Sequence, residues 1–460
     1  MIYQCFRNSF LSQLAAHVVN RDSTGTLREY TYNKRQSKLQ INGHNDSYDW
    51  DVNQWWSQNR LFDDQTISPA NIKNLKFSLT NSKISELRDE QWSELWSPSD
   101  NMFELFESQE SQNTRKGVIP MSSVDSIKDT ILKYFSHVRS YRGDRSYYRK
   151  LKRTLKDTFL QLGLTTALQS FWPKEMPKVN SRDKAHNIIG IWPGTQRGTP
   201  KDKIIVIGAH YDTVSSSPGV DDNGSGSAAV LEIAKLVAQN NCKLDKTLMF
   251  VLFDMEEDGL KGSKYFVKDY LIPIEVIKNG AQVMAVIVMD MILEHDSTRN
   301  SQSLGTIANV LPDWGTEIKQ NGYRGDFAAV WARKGVDTKI FDKLQQNWLN
   351  SDKYGLSLMA PALPELGSQV VGRSDRRLLK YQTFLRSDHA SFWYPPQKYM
   401  TFPAILITDL GPWRRNMKNK YHRSGDDTRS LSDDNLAFLK NTIDSVINTI
   451  FDLSKGKCDK

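Results

Sequence analysis

Four runs of nearly unbroken apolar residues set the tightest limit on how this chain can fold. They are KIIVIGA at 203–209, TLMFVLF at 247–253, MAVIVM at 284–289 and PAILIT at 403–408. A strand with one wet face alternates apolar and polar residues. A run without alternation needs cover on both faces, the condition of a parallel-sheet strand between helices. Each run also leads into chargeable side chains: His210 and Asp212 after the first, Glu256 and Glu257 after the second, Asp290 after the third, and Tyr421 and His422 beyond the fourth. Asp222 follows in PGVDDNGSGSAA. An open parallel sheet gathers its chemistry at the carboxyl ends of its strands. Two histidines with three or more carboxylates meeting there would form a zinc-type ligand set. Singly, each residue has an ordinary alternative: Asp222 as turn or cap, Glu256–Glu257 as a helix start, Asp290 as a turn acid. Together, so many acids beside the most apolar strands demand a cation, because burying unpaired carboxylates is costly.

The surrounding pattern supports an α/β chain. Further strands are expected at Thr165–Phe171 and Asn187–Trp192, alongside Lys203–Ala209, Thr247–Phe253, Met284–Met289 and Pro403–Thr408. Helices are expected at Val124–Val138, with Ile127, Ile131 and Phe135 on one face, and at Tyr147–Leu162, with Leu151, Leu155 and Phe159 on one face and Gly163 as the residue past its end. Others are expected at Ser225–Gln239, Gly262–Tyr270, Thr338–Leu349 and Asp433–Leu453. The alternation predicts helices around a mixed, mostly parallel sheet, a three-layer sandwich over residues 118–460. Residues 1–117 form a separate N-terminal region, rich in Asn, Gln, Ser and Trp, with poor periodicity. Their tryptophans argue against full disorder, and no function is assigned to them.

Composition excludes several classes. With 39% hydrophobic and 25% charged residues the chain is ordinary for a globular protein. No run of 18 apolar residues suggests a transmembrane helix. The net charge of +8 is scattered and carries no nucleic-acid motif, so no nucleic-acid partner is expected. The N-terminal MIYQCFRNSFLSQLAAHVV lacks the clean basic start, long apolar core and small-residue cleavage site of a signal peptide. Compartment and oligomeric state stay open. Cys5, Cys242 and Cys458 show no metal-site spacing and no disulfide framework, though they leave room for one bridge. Gly224-x-Gly226-x-x-Ala229 mimics a dinucleotide fingerprint, but a polar loop precedes it where a strand is required. The glycines are better read as permitting a tight turn behind Asp222.

GAHYDTV, PGVDDNGSG, DMEEDGLKGS, VMD, FLRSDHASFW and YHRSGDDT, in this order, resemble the zinc-dependent aminopeptidases of peptidase family M28. The resemblance covers about residues 118–453 and implies a zinc-exopeptidase fold with two Zn2+ ions per chain. It implies that His210 and Asp290 bind one ion, that Glu257 and His422 bind the other, and that Asp222 bridges them. It makes Glu256 the general base and Asp212 the acid that fixes the His210 imidazole. Tyr421 is a candidate hydrogen-bond donor to the oxyanion, with simple packing beside His422 as the alternative. The resemblance further implies a cis peptide after Asp222, and makes Ser387–Asp388–His389 a structural segment near the pocket with no metal. His17, His44, His137, His186 and His295 are taken as surface or structural residues.

The activity implied is hydrolysis of the N-terminal bond of a peptide or small protein with a free amino end. A carboxypeptidase or dipeptidase, and a glutaminyl-cyclase-like aminoacyltransferase, are the enzyme alternatives on the same fold. A non-catalytic binding domain is the alternative from another class. The basic stretch WRRNMKNKYH ahead of His422 is either a pocket wall favouring acidic or extended substrates or, preferably, a solvated loop.

Overall fold

Strand β3, Lys203–His210, lies in the middle of the fold because all but its first residue are buried on both faces. A computed structural model describes residues 119–173, 184–364, 376–395 and 400–458; the N-terminal region 1–117 lies outside the described residues. Eight strands form one sheet: β1 Thr165–Phe171, β2 Ala185–Trp192, β3, β4 Thr247–Phe253, β5 Gln282–Met289, β6 Phe327–Trp331, β7 Gly355–Met359 and β8 Ala404–Thr408. Their order across the sheet is β1-β2-β4-β3-β5-β8-β6-β7. β3 pairs in parallel with β4 and β5, and β5 pairs in parallel with β8. The pairs β1–β2, β2–β4 and β6–β8 are antiparallel, and β6–β7 is parallel.

The apolar runs feed two cores, as a strand period of two requires. Ile205, Ile207, Phe250, Leu252 and Ile287 join the core beneath the helices Val124–Thr130, Arg145–Gln161, Gly226–Gln239 and Asp433–Ser454. Ile204, Val206, Met249, Val251 and Val288 join the opposite core with Phe266, Leu271, Phe392 and Trp393. The expected three-layer α/β sandwich with a mixed sheet is therefore the observed fold.

Most expected elements lie within a residue or two of their place, and the differences have local causes. The helix at 124 ends earlier than Val138: it passes into wider π-type turns at Ile131–Phe135 and then stops, which frees Arg139 to turn inward. The helix expected to end at Tyr270 starts at Lys261 and runs on through Lys278 in wider turns that accommodate Pro273. Asp144 caps Arg145–Gln161 by accepting from the backbone N–H groups of Ser146 and Tyr147. β6 and β7 were not expected. They are five residues each and sit at the far edge of the sheet.

The one bridge for which the sequence left room joins Cys242 to Cys458. It ties the end of the chain to the loop behind the helix Gly226–Gln239. Among the described residues no helix is long and apolar enough to cross a membrane. The basic run before His422 is only partly a solvated loop. Arg414 is fully buried and donates to Asp409 O and Phe327 O, and Lys420 pairs with Glu294 at 3.2 Å, while Arg415 and Lys418 face solvent.

Candidate metal centre and cleft

The carboxyl ends of β4, β3, β5 and β8 bring the expected residues together. His210 is the last residue of β3, in register with Phe253 of β4. Glu256 and Glu257 follow β4, Asp290 follows β5 directly, and Tyr421 and His422 lie on the segment after β8. Asp222 arrives from the loop after β3, and its peptide to Asn223 is cis, as the resemblance implied.

Two groups of three donors converge. His210, Asp222 and Asp290 form one, and Asp222, Glu257 and His422 the other, each with donor atoms within 4.8 Å of one another. Asp222 belongs to both. Its Oδ1 lies 3.4 Å from His210 Nε2 and its Oδ2 lies 3.2 Å from His422 Nε2. Asp290 Oδ1 is 3.4 Å from His210 Nε2, and Glu257 Oε2 is 3.2 Å from His422 Nε2. Asp290 Oδ1 is buried with no hydrogen bond among the described residues. Imidazole nitrogens and carboxylate oxygens so placed can hold a metal ion of the zinc kind.

The charges demand compensation. Burial pushes the Glu256 carboxyl well above its ordinary range, although His210 pulls it down. Burial, reinforced by the Asp222 charge, raises Glu257 to about 7. Burial would also raise Asp222, but its bonds to the two imidazoles hold it well below the usual carboxylate range. His422 is lowered by burial but carried up to about 10 by Asp222 and Glu257. His210 follows the same balance: burial lowers it, and Asp290 and Glu256 raise it further. Acids that hold protons and imidazoles that become cations mark a cluster with more negative charge than it can bury alone.

Neighbouring groups hold these side chains in place. Asp212 is buried and accepts from the backbone N–H groups of Glu256 (3.0 Å) and Glu257 (3.3 Å), while its Oδ1 lies 3.5 Å from His210 Nδ1. The His210 ring meets the backbone carbonyl of Asp212 at 3.2 Å, and the carboxylate of the same residue holds the turn that carries both glutamates. Asp426, in the same YHRSGDDT segment as His422, accepts from the N–H groups of Asp221 and Asp222 at 2.8 and 3.0 Å. Arg139 is completely buried. Its guanidinium donates to the carbonyls of Tyr211, Phe135, His137, Pro218 and Gly219 over 2.6–3.0 Å. Gly219 has φ +62°, and a Cβ there would meet Asp222 O at 2.1 Å, so no other residue fits. Gly226 is equally confined, since a Cβ would lie 2.3 Å from Met289 O. Left-handed non-glycine residues cluster here: Met255 before Glu256, Met291 after Asp290, and His422 itself. Each costs about 1 kcal/mol or more, and such strain tends to collect at functional sites.

Sequence reasoning missed Arg139, Asp426 and Arg386. Asp426 lay within a quoted motif, whereas nothing local marks Arg139 as buried. Asp388 is fully buried, and burial raises its carboxyl to about 7. His389 is buried too, with Nε2 2.9 Å from Phe384 O. His295 is buried with Nδ1 2.6 Å from Asp434, and His186 stands in β2, both away from the donor groups. His137 is exposed beside Tyr147, as expected of a surface histidine; His17 and His44 lie outside the described residues. Asp222, Glu256, Glu257, Asp290 and His422 line a cleft together with Trp331, Leu406, Leu410, Pro412, Trp413 and Arg386. Tyr421 also lines it, its ring stacked on His422 at 3.8 Å between centroids.

Residues 187–325 match the model of peptidase family M28, the family that the motifs resembled. The chain is 42% identical over 107 residues to Leupeptin-inactivating enzyme 1 of Streptomyces exfoliatus, a stretch that is 23% of this chain and 22% of that protein. It is 38% identical over 114 residues to an aminopeptidase of Pseudomonas aeruginosa, 25% of this chain and 19% of that protein. The chain thus spans about a fifth of the length of the curated relatives it matches. Among solved structures it is similar to BSAP, a zinc aminopeptidase from Bacillus subtilis, with a TM-score of 0.47 at 14% identity, covering 73% of this chain and 96% of that one.

Proposed function

We propose that this chain is a zinc-dependent aminopeptidase whose cleft holds two ions. In this reading His210, Asp290 and Asp222 would hold one, and Glu257, His422 and Asp222 the other. The observation that carries it is Asp222, whose two oxygens face two different imidazoles. A carboxylate so placed suits a pair of neighbouring ions. When bound, zinc supplies Lewis-acid activation of a water and of the scissile carbonyl.

The protein's own groups do the rest. Glu256 belongs to neither donor group, and its Oε2 stands 3.9 Å from His210 Nε2. It takes a proton from the attacking water and delivers it to the nitrogen of the leaving amine as the peptide bond breaks. Tyr421 stays protonated, because burial and the charge of Asp222 raise its hydroxyl. Its O–H can therefore donate to the developing oxyanion. The aminopeptidase relatives favour a substrate that presents a free α-amino group. The family match and the aminopeptidase relatives support the peptidase part of this reading.

The test compares hydrolysis of aminoacyl anilides with that of amino-blocked peptides, with zinc measured by elemental analysis. Activity confined to free-amine substrates and zinc bound by the protein is the expected result. Cleavage of blocked peptides, or purified active protein without zinc, would overturn the assignment. Asp212→Asn is expected to weaken zinc binding about 10- to 100-fold, as loss of a ligand-orienting carboxylate does. Competition against a chelator of known affinity measures it, and unchanged affinity would remove Asp212 from this role.

A further inference from the structure

Arg386 is the cation on the cleft wall that the proposed reaction does not use. It is exposed at the rim, immediately before the buried Ser387–Asp388–His389 segment. Its guanidinium carbon lies 5.4 Å from the centre of the Trp413 ring and 5.9 Å from that of Tyr421. Its only hydrogen bond among the described residues runs from Nη2 to Tyr421 Oη, at 3.1 Å. No carboxylate among them pairs with it. A guanidinium has five N–H donors in one plane. Aromatic rings beside it restrain the group while leaving N–H edges open to a planar anion.

Arg386 thus stands on the wall of the same cleft that most of the donor residues line. We infer that Arg386 is a specificity-determining residue that receives a carboxylate of the substrate, on the residue released by cleavage. This inference rests on the aminopeptidase reading for its orientation: the free amine lies ahead of the scissile bond, and the anion is placed on the residue beyond it. Two sources share this chemistry, the terminal carboxylate of a short peptide and an acidic side chain. A guanidinium binds either through charge-assisted, two-pronged hydrogen bonds. Because Arg386 also donates to Tyr421, its loss is expected to lower turnover of every substrate. The informative quantity is the ratio between anionic and neutral substrates within one enzyme.

The experiment measures kcat/KM for Leu-Leu, Leu-Asp-amide and Leu-Leu-amide with the zinc-loaded full chain and its Arg386→Met variant. At least one anionic substrate is expected to exceed the neutral amide by about ten- to a hundredfold, the worth of a charge-assisted hydrogen bond. In Arg386→Met that ratio should fall close to one. A preference for Leu-Leu identifies the chain terminus as the anion, and one for Leu-Asp-amide the side chain; both uphold the inference. A ratio near one in the parent, or an undiminished ratio in the variant, overturns it. If the parent cleaves none of the three, the peptidase reading fails. Calorimetric titration of the same peptides then decides the anion site separately. Tighter binding of an acid than of the amide, lost in Arg386→Met, upholds the site, and equal binding overturns it.

Discussion

Glu256→Gln is expected to retain its zinc and to lose about 10²- to 10⁴-fold in kcat on aminoacyl anilides, with KM little changed. Glutamine keeps the shape and the hydrogen-bonding edge but cannot take a proton. The expectation of retained zinc follows from the donor groups, neither of which includes Glu256. Its backbone N–H, held by Asp212, keeps the turn in place whatever the side chain. Elemental analysis and steady-state kinetics on the same preparation separate the two properties. A variant within a few-fold of the parent would remove Glu256 as the base. A variant that loses its zinc would reassign Glu256 to the donor set.

Arg139→Met is expected to destabilise the described domain by about 3–5 kcal/mol, a large part of the 5–15 kcal/mol that holds a typical domain folded. The substitution fills much of the same space but removes the donor from five carbonyl contacts, three of them buried and two part-buried. Unmet buried polar groups cost far more than a hydrogen bond earns in water. Burial lowers the Arg139 pKa to about 10, so the side chain stays charged at neutral pH. Arg139→Lys should recover only part of the loss, because an ammonium has three donors in a compact head and cannot span the same carbonyls. Denaturant unfolding of the parent and both variants measures this. A midpoint for Arg139→Met that implies less than about 1 kcal/mol would show that water replaces the guanidinium.

How much of this was legible differs residue by residue. His210, Glu256, Glu257 and Asp290 could be singled out because each stands near the end of an apolar run, where a charge needs a reason; Asp222 and His422 lie well past their runs and were marked by the motifs that hold them. β6 and β7 could not: FAAVW and GLSLM are short, and the weak apolar signal of two alanines and a serine becomes a strand only by pairing at the sheet edge. Arg139 was illegible for a different reason. Its partners are backbone carbonyls drawn from two distant segments, and carbonyls leave no trace in a sequence. Asp212 was only half-read. Its nearness to His210 suggested an orienting role, but its acceptance of two N–H groups from the Glu256–Glu257 turn depends on β3 and β4 being neighbours. Arg386 was passed over because the acid and histidine beside it drew the reading toward structure.

The parallel ladder through β4, β3, β5 and β8 also works as a ruler. Adjacent strands run about 4.8 Å apart, whatever their side chains. His210 ends one strand, Asp290 directly follows its neighbour, and the glutamates leave the neighbour on the other side. The pitch of the backbone thus supplies the spacing between these donors, and the loops supply only their direction. His422 is the exception, since it comes from the segment after β8, whose place depends on buried Arg414 and on the Lys420–Glu294 pair. The distance between the strand-end donors is thus set before any rim side chain is placed.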